Sequence, residues 1–338
     1  MQNHFKQLFA KGEVLTDILG QESTKRQLKS ALLMGHHVII VGPPGVGKTT
    51  LARNVAKLLP DMTLNDCPYH CSPDNPFCPG CRSARTAKKR KVFGSQRFIR
   101  IQGSPDLTVE DLIGDIDPVK ALKLGPLSIE AFTPGKIFKA NNGVLFFDEL
   151  NRCPEKLQNA LLQSLEEGKA TIGSYDIDLP ANFIFIGTMN PEDTSTERLS
   201  DVFLDRFDLV YMSYPENLAI EREIVKQKGK SMVEFPEELL DFTVEFVRAL
   251  RSSDKLEKLP SVRASIHLYE RSQSNAFIAG RNLVSIADIE DAAVSVLSHR
   301  IRLKPSLHYL QNPVDFISKE LKRFIDSYQE LTEKGGGL

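Results

Sequence analysis

Four short apolar runs mark the first part of the chain: Val38–Val41, Phe98–Ile101, Val144–Phe147 and Phe183–Ile186. None alternates, and each is bounded by turn or polar residues, the pattern of strands buried on both faces of a parallel sheet. Segments with helical spacing separate them, including Lys48–Leu59 and Glu155–Glu167, so this part reads as α/β. After about Pro215 the spacing turns helical throughout, over Glu216–Lys228, Pro236–Leu250, Val262–Ala279, Ala287–Arg300 and roughly Val314–Leu331, with no further strand expected. The expected organisation is a three-layer αβα core over residues 1–214 and an all-helical domain over 215–338, with the GGGL ending as a frayed tail. Gly168–Pro180 reads as a hairpin, with Ala170 and Ile172 alternating before a Gly173-Ser174 turn and Ile177 and Leu179 alternating after it.

Gly42, Pro43, Pro44, Gly45, Val46, Gly47, Lys48 and Thr49 satisfy G-x-x-x-x-G-K-[ST], with Thr50 following, directly between a predicted strand and a predicted helix. Such a loop is a phosphate cradle. Its backbone N–H groups curl around the anion, and the helix presents its positive end to it. Lys48 is expected to reach the β- and γ-phosphates of ATP, and the Thr49 hydroxyl to ligate Mg²⁺. The run Val144–Phe147 ends in Asp148 and Glu149. Beside the cradle, Asp148 would orient Mg²⁺ and its water shell, and Glu149 would polarise the attacking water.

Composition narrows the class without naming it. The chain has 338 residues, 41% hydrophobic and 26% charged, long enough to fill two domains. A net charge of −1 excludes binding nucleic acid through overall charge. No apolar run approaches the length of a membrane span, and the start has no signal-peptide core, so a cytosolic protein is expected.

The stretch Gly114–Arg206, with GDIDPVKALKLGPLSIEAFTPGKIFKANNGVLFFDELNR and FIFIGTMNPEDTSTERLSDVFLDRFDL, resembles the ATPase subunit of magnesium chelatase and the related MoxR proteins, ring-forming P-loop ATPases of the AAA+ type. Gly20, Gln21 and Glu22 are similar to that family's adenine-side segment. Pro260–Ala264 resembles its lid motif, and Gly280–Ile289 its next lid helix, so the likeness spans roughly residues 15–305. It implies a P-loop core with a helical lid, and it implies further roles. Asn190 matches the sensor that holds the attacking water. Arg206 matches the arginine finger that acts on the neighbouring subunit's nucleotide, with Arg198 as a nearby competitor. Arg263 matches the lid sensor of the γ-phosphate. The resemblance also implies a helical insertion over 103–139, containing Phe132-Thr133-Pro134-Gly135. It implies a homo-oligomeric ring, a hexamer, and a partner carrying a von Willebrand factor A-type domain. The work done would be Mg²⁺ insertion into a porphyrin, or maturation of a client protein or metal cofactor. The alternatives are a DNA-binding remodeller or helicase of the MCM type and a protein that uses ATP only as a binding switch.

Residues 65–97 form a cysteine-rich insertion in which Cys67, Cys71, Cys78 and Cys81 follow a C-x₃-C-x₆-C-x₂-C spacing, with His70 beside Cys71. Two thiol pairs on short loops can converge tetrahedrally on one Zn²⁺, and His70 could replace one thiol. The same four thiolates suit an iron–sulfur cluster, and free thiols are the third reading. A structural zinc staple is the expectation; a disulfide set does not suit a reducing cytosol. Cys153 stands apart and reads as a core residue. Arg82, Arg85, Lys88, Lys89, Arg90, Lys91, Arg97 and Arg100 then crowd one segment, as a solvated face, a contact for an acidic partner or a nucleic-acid contact. Few aromatics interleave to stack bases.

Overall fold

The structure is a computed structural model. It describes residues 2–12, 14–84, 87–125, 128–172, 177–191 and 199–335, apart from the side chains of 308 and 329–335. The chain divides into two compact units, one of residues 1–43 with 47–212 and one of 44–46 with 213–338. No helix among the described residues is long and apolar enough to cross a membrane.

The first unit is built on five strands, β1 (His37–Val41), β2 (Phe98–Gln102), β3 (Val144–Asp148), β4 (Ile184–Met189) and β5 (Phe207–Tyr211). They pair in the order β5-β1-β4-β3-β2, and every pairing is parallel. The four apolar runs of the sequence are β1 to β4. The fifth strand was not expected, because β5 is an edge strand in which only Phe207 and Val210 are buried. A central parallel strand must be apolar on both faces, and an edge strand need not be. β4 lies between β1 and β3, so the loops leaving these three strands emerge side by side. Phe146, Phe147 and Phe185 are fully buried, with the Phe98 and Phe146 rings stacked 5.2 Å apart and Phe185 5.2 Å from Phe207.

Three antiparallel strand pairs among the described residues decorate this sheet: Met62–Asn65 with Lys89–Val92, Gly114–Ile116 with Phe132–Pro134, and Lys169–Ile172 with Ile177–Pro180. The third is the hairpin expected over 168–180, in the register Ala170 to Leu179 and Ile172 to Ile177; its Gly173-Ser174 turn lies outside the described residues. The second corrects the insertion over 103–139, which is not wholly helical. Short helices at Val109–Ile113, Pro118–Leu124 and Lys136–Lys139 flank a two-stranded pair, whose three-residue strands are too short to leave a period.

The second unit holds helices Leu218–Lys228, Glu237–Arg251, Val262–Ile278, Ile286–Leu297 and Pro313–Gly335, around a core that includes Phe242, Phe246, Leu268 and Phe316. It also carries one strand pair that the sequence did not suggest, Leu256–Lys258 with Arg302–Leu303. At its centre the Glu221 carboxylate is fully buried. Arg251 grips both its oxygens at 2.6 Å, Ser265 Oγ donates at 2.6 Å and Arg248 at 3.3 Å, tying three helices to one charge.

Glu221 and the half-buried His37 of β1 each carry a stability prediction. Glu221→Ala would strand Arg251, itself 7% exposed, without its counter-charge, and should lower unfolding free energy by about 3–5 kcal/mol in urea melts. His37 accepts from the Phe185 N–H at Nδ1 (3.1 Å), which puts its proton on Nε2 toward the Leu165 carbonyl (3.3 Å). Burial lowers its pKa below the ordinary 6.5, so the folded chain binds this proton less readily than the unfolded one. The contribution is complete above about pH 6.5 and declines as pH falls below it. Unfolding measured at pH 7.5 and 5.5 should show that slope, and His37→Gln should flatten it.

Candidate active site

The cradle begins where β1 ends. Gly42 N–H donates to the Met189 carbonyl (3.1 Å), and a Cβ at Gly42 would lie 2.1 Å from the Met212 carbonyl oxygen, so only glycine fits. Gly47, at φ 106°, caps the helix Lys48–Leu58, a backbone conformation that side chains resist. The helix therefore starts at Lys48, whose Nζ donates to the Gly42 carbonyl (2.6 Å) and the Pro43 carbonyl (2.8 Å) at the mouth of the loop. Thr49 and Thr50 occupy the first turn and are half-buried; within the loop Pro44 is exposed and Gly45 and Val46 are half-buried. A Cβ at Gly47 would meet Ile18 Cδ1 at 3.2 Å, which places the segment leading into Gly20 and Gln21 against the loop. Gln21 is buried and left-handed (φ 59°), and Thr24 Oγ1 donates both to its side chain (3.1 Å) and to the Tyr211 carbonyl (2.7 Å).

Asp148 ends β3, and one buried hydroxyl sets both acids. Thr188 Oγ1 on β4 donates to Asp148 Oδ1 (2.7 Å) and accepts the Glu149 N–H (3.0 Å). Arg100 Nη2 on β2 holds the other oxygen of Asp148 at 2.6 Å. Glu149 stands in the left-handed region (φ 55°), and its Oε2 accepts from Gln102 Nε2 (2.9 Å) and pairs with Arg152 (3.3 Å). Asn151 Nδ2 donates to the carbonyl of Asn190, the residue directly after β4, at 3.4 Å. Gly42, Asp148, Glu149, Thr188 and Asn190 thus gather at the carboxyl ends of three neighbouring strands, where open α/β sheets form their clefts.

Thr188, Arg100 and Gln102 were not picked out from the sequence. Thr188 is the one hydroxyl in the buried run FIFIGTM, and a buried hydroxyl needs a partner. Arg100 and Gln102 alternate on one face of β2 and were hidden in the basic run. That run needs correction at two positions. Arg97 is fully buried and donates to the Pro60 and Asn142 carbonyls, and Arg100 is engaged with Asp148. Burial lowers the Arg97 pKa. Arg82, Lys88, Lys89, Arg90 and Lys91 are exposed, with Arg90 paired to Asp66 (3.4 Å) and Lys91 to Asp61 (3.2 Å); Arg85 lies outside the described residues.

Arg206 is not brought to this cleft. Phe207 pairs with His37 and Tyr211 with Val41, so Arg206 stands level with the start of β1, roughly 16 Å along the strands from the cradle end. Its guanidinium pairs with Glu166 and donates to the Val202 carbonyl. Arg198 lies outside the described residues. Arg263 is exposed on the first turn of Val262–Ile278, in the second unit.

The thiols of Cys67, Cys71, Cys78 and Cys81 all lie within 4.8 Å of one another, and none of the chain's five cysteines is in a disulfide. Hydrogen bonds from the Cys71 and Cys78 thiols hold Cys67 far below the ordinary thiol value, and the same contact with Cys67 pushes Cys71 up to about 11. His70 is not a member of the group. Its Nε2 accepts from Arg90 at 3.3 Å, and Nδ1 is buried without a hydrogen bond. Cys153 is fully buried in the core.

Fold and cleft define a P-loop protein of the AAA+ class. The model for the ATPase family associated with various cellular activities matches residues 77–209, that for magnesium chelatase subunit ChlI residues 14–69, and that for the AAA lid domain residues 249–319. The chain is 30% identical to the magnesium-chelatase 38 kDa subunit of Acidiphilium rubrum over 79% of this chain and 84% of that one, and it belongs to the family of that magnesium chelatase subunit. It is also 28% identical to a magnesium-chelatase subunit ChlI homolog of Methanocaldococcus jannaschii, over 94% of this chain and 92% of the relative. Among solved structures, RuvB of Thermotoga maritima shares the fold, with a TM-score of 0.50 at 20% identity, over 85% of this chain and 73% of that one.

Thr188→Val keeps the shape of the strand and removes the shared hydroxyl. One hydrogen bond to a charged group is worth about 1.5–3 kcal/mol, so any ATP turnover by the chain should fall roughly 10- to 150-fold with nucleotide affinity nearly unchanged. Thr188→Ser should retain most of the activity; equal losses in both variants would remove the hydroxyl from the account.

Proposed function

We propose that the chain is an Mg²⁺-dependent ATP-hydrolysing motor that works as one subunit of a ring, a hexamer. The carrying observation is the convergence of Gly42, Lys48, Asp148, Glu149 and Asn190 on one end of the sheet. The residues suit the groups they would hold. Lys48 supplies a cation at a helix start, held at the mouth of the loop by the Gly42 and Pro43 carbonyls. Residues 42–50 would bind the triphosphate and Gly20–Gln21 the base side. Thr49 and Asp148 would hold Mg²⁺, which offsets negative charge on the transferred phosphoryl group. Glu149 would take up the proton of the attacking water, positioned by Gln102 and Thr188, and Asn190 would hold that water.

Arg206 would serve a neighbour. Its level on the sheet, at the far end from its own cradle, supports that reading, and Arg263 would report the phosphate state to the lid. Family membership supports a partner protein, since the relatives are named as subunits of magnesium chelatase. We take that partner to carry a von Willebrand factor A-type domain and the work to be metal insertion, into a porphyrin or in maturing another metalloprotein, in the cytosol. A DNA remodeller is not favoured, since Arg97 and Arg100 are withdrawn from the basic face.

Lys48→Ala should abolish nucleotide binding in a fluorescent-nucleotide titration; ordinary affinity would refute the cradle. Arg206→Ala and Glu149→Gln should each bind ATP without turning it over. Mixing the two inactive chains should restore measurable phosphate release, and its absence at every ratio would argue against a site shared between subunits.

A further inference from the structure

We propose that Cys67, Cys71, Cys78 and Cys81 bind one Zn²⁺ in a closed four-thiolate site, and that this ion pins the inserted segment to the entrance of β3, the strand that carries Asp148 and Glu149. Size separates the metal readings that spacing leaves open. Four thiolates on one Zn²⁺, at about 2.3 Å each, stand about 3.8 Å apart. A cubane iron–sulfur cluster would hold its four thiolates about 6 Å apart or more. The thiols here all lie within 4.8 Å of one another, which fits a single ion and leaves no room for a cluster.

The backbone is already shaped for it. His70 N–H donates to the Cys67 carbonyl (3.2 Å) and Cys81 N–H to the Cys78 carbonyl (3.1 Å), so each thiol pair sits on its own closed turn. Cys71 N–H also points at Cys67 Sγ (3.4 Å), a contact that suits a thiolate. Cys71, Cys78 and Cys81 are buried, so to ionise together the four converging thiols would need a cation among them. A closed set offers no open position for substrate, so the ion is structural.

Its location gives the second half. Tyr69 and His70 lie between the first two ligands, and their carbonyls accept from Asn141 Nδ2 and Asn142 Nδ2, each at 3.2 Å. Asn141 and Asn142 lead through Gly143 into β3. The Tyr69 ring packs 5.6 Å from Phe138 and 5.9 Å from Phe77, and buried Arg97 donates to the Asn142 carbonyl. Far from Asp148 in sequence, the cysteine loop clamps the opposite end of the same strand.

The full chain, purified under reducing conditions, should contain one zinc per chain, released by a mercurial and captured by a chromogenic chelator. Replacing it with Co²⁺ should give the intense visible bands of a tetrahedral thiolate site. Cys78→Ser should lose the metal, and Cys153→Ser should keep it. Where Cys78→Ser does not fold, zinc is removed from the wild type by chelation. Amide exchange over residues 141–144 should then rise at least about tenfold and return on adding zinc. Iron with labile sulfide, or a folded chain that takes up no zinc, would overturn the site. Unchanged exchange over 141–144 would overturn the clamp. Neither readout depends on ATP turnover, so the motor assignment and the zinc site stand or fall separately.

Discussion

The buried hydroxyl of Thr188 is the constraint on which the cleft depends. It gives its proton to Asp148 and takes the Glu149 N–H, so one atom fixes a side chain and a backbone turn together. Thr188 also pairs with Ile40 of β1, two residues before the cradle. The glycine loop, Asp148 and Glu149 are therefore registered through one strand. A hydroxyl is a donor and an acceptor at once, which valine of the same shape is not.

What could be read from the sequence follows what burial imposes on it. Strands β1, β3 and β4 are covered on both faces, so their composition announces them; β5 is an edge, and FDLVY looks like any mixed segment. The glycine loop and paired acids were legible because close backbone approach and strand-end carboxylates need particular residue types at fixed places. Arg100 and Gln102 were not legible, because their meaning lies in register. Gln102 faces Asp148 only once β2 is paired with β3. Arg97 misled for the same reason, since a charge that ends among carbonyl oxygens is written in the same letter as one in water.

The second unit is held in a different manner. A single fully buried carboxylate, Glu221, is shared by Arg248, Arg251 and Ser265 from two helices beyond its own. Such a cluster adds directional contacts to an apolar core that would otherwise tolerate sliding, and Arg251 also donates to the carbonyl of Pro260, in the lead-in to the helix that bears Arg263.

Glu149 occupies a left-handed backbone position that folding alone would assign to glycine or asparagine. Strain of this kind, of order 1 kcal/mol or more, persists where surrounding contacts over-determine it, here the Thr188 hydroxyl on the Glu149 N–H. Selection for heat resistance and selection for work then pull this position apart. A population screened only for folded protein should drift toward small or amide residues here, gaining robustness and losing the carboxylate in the same step.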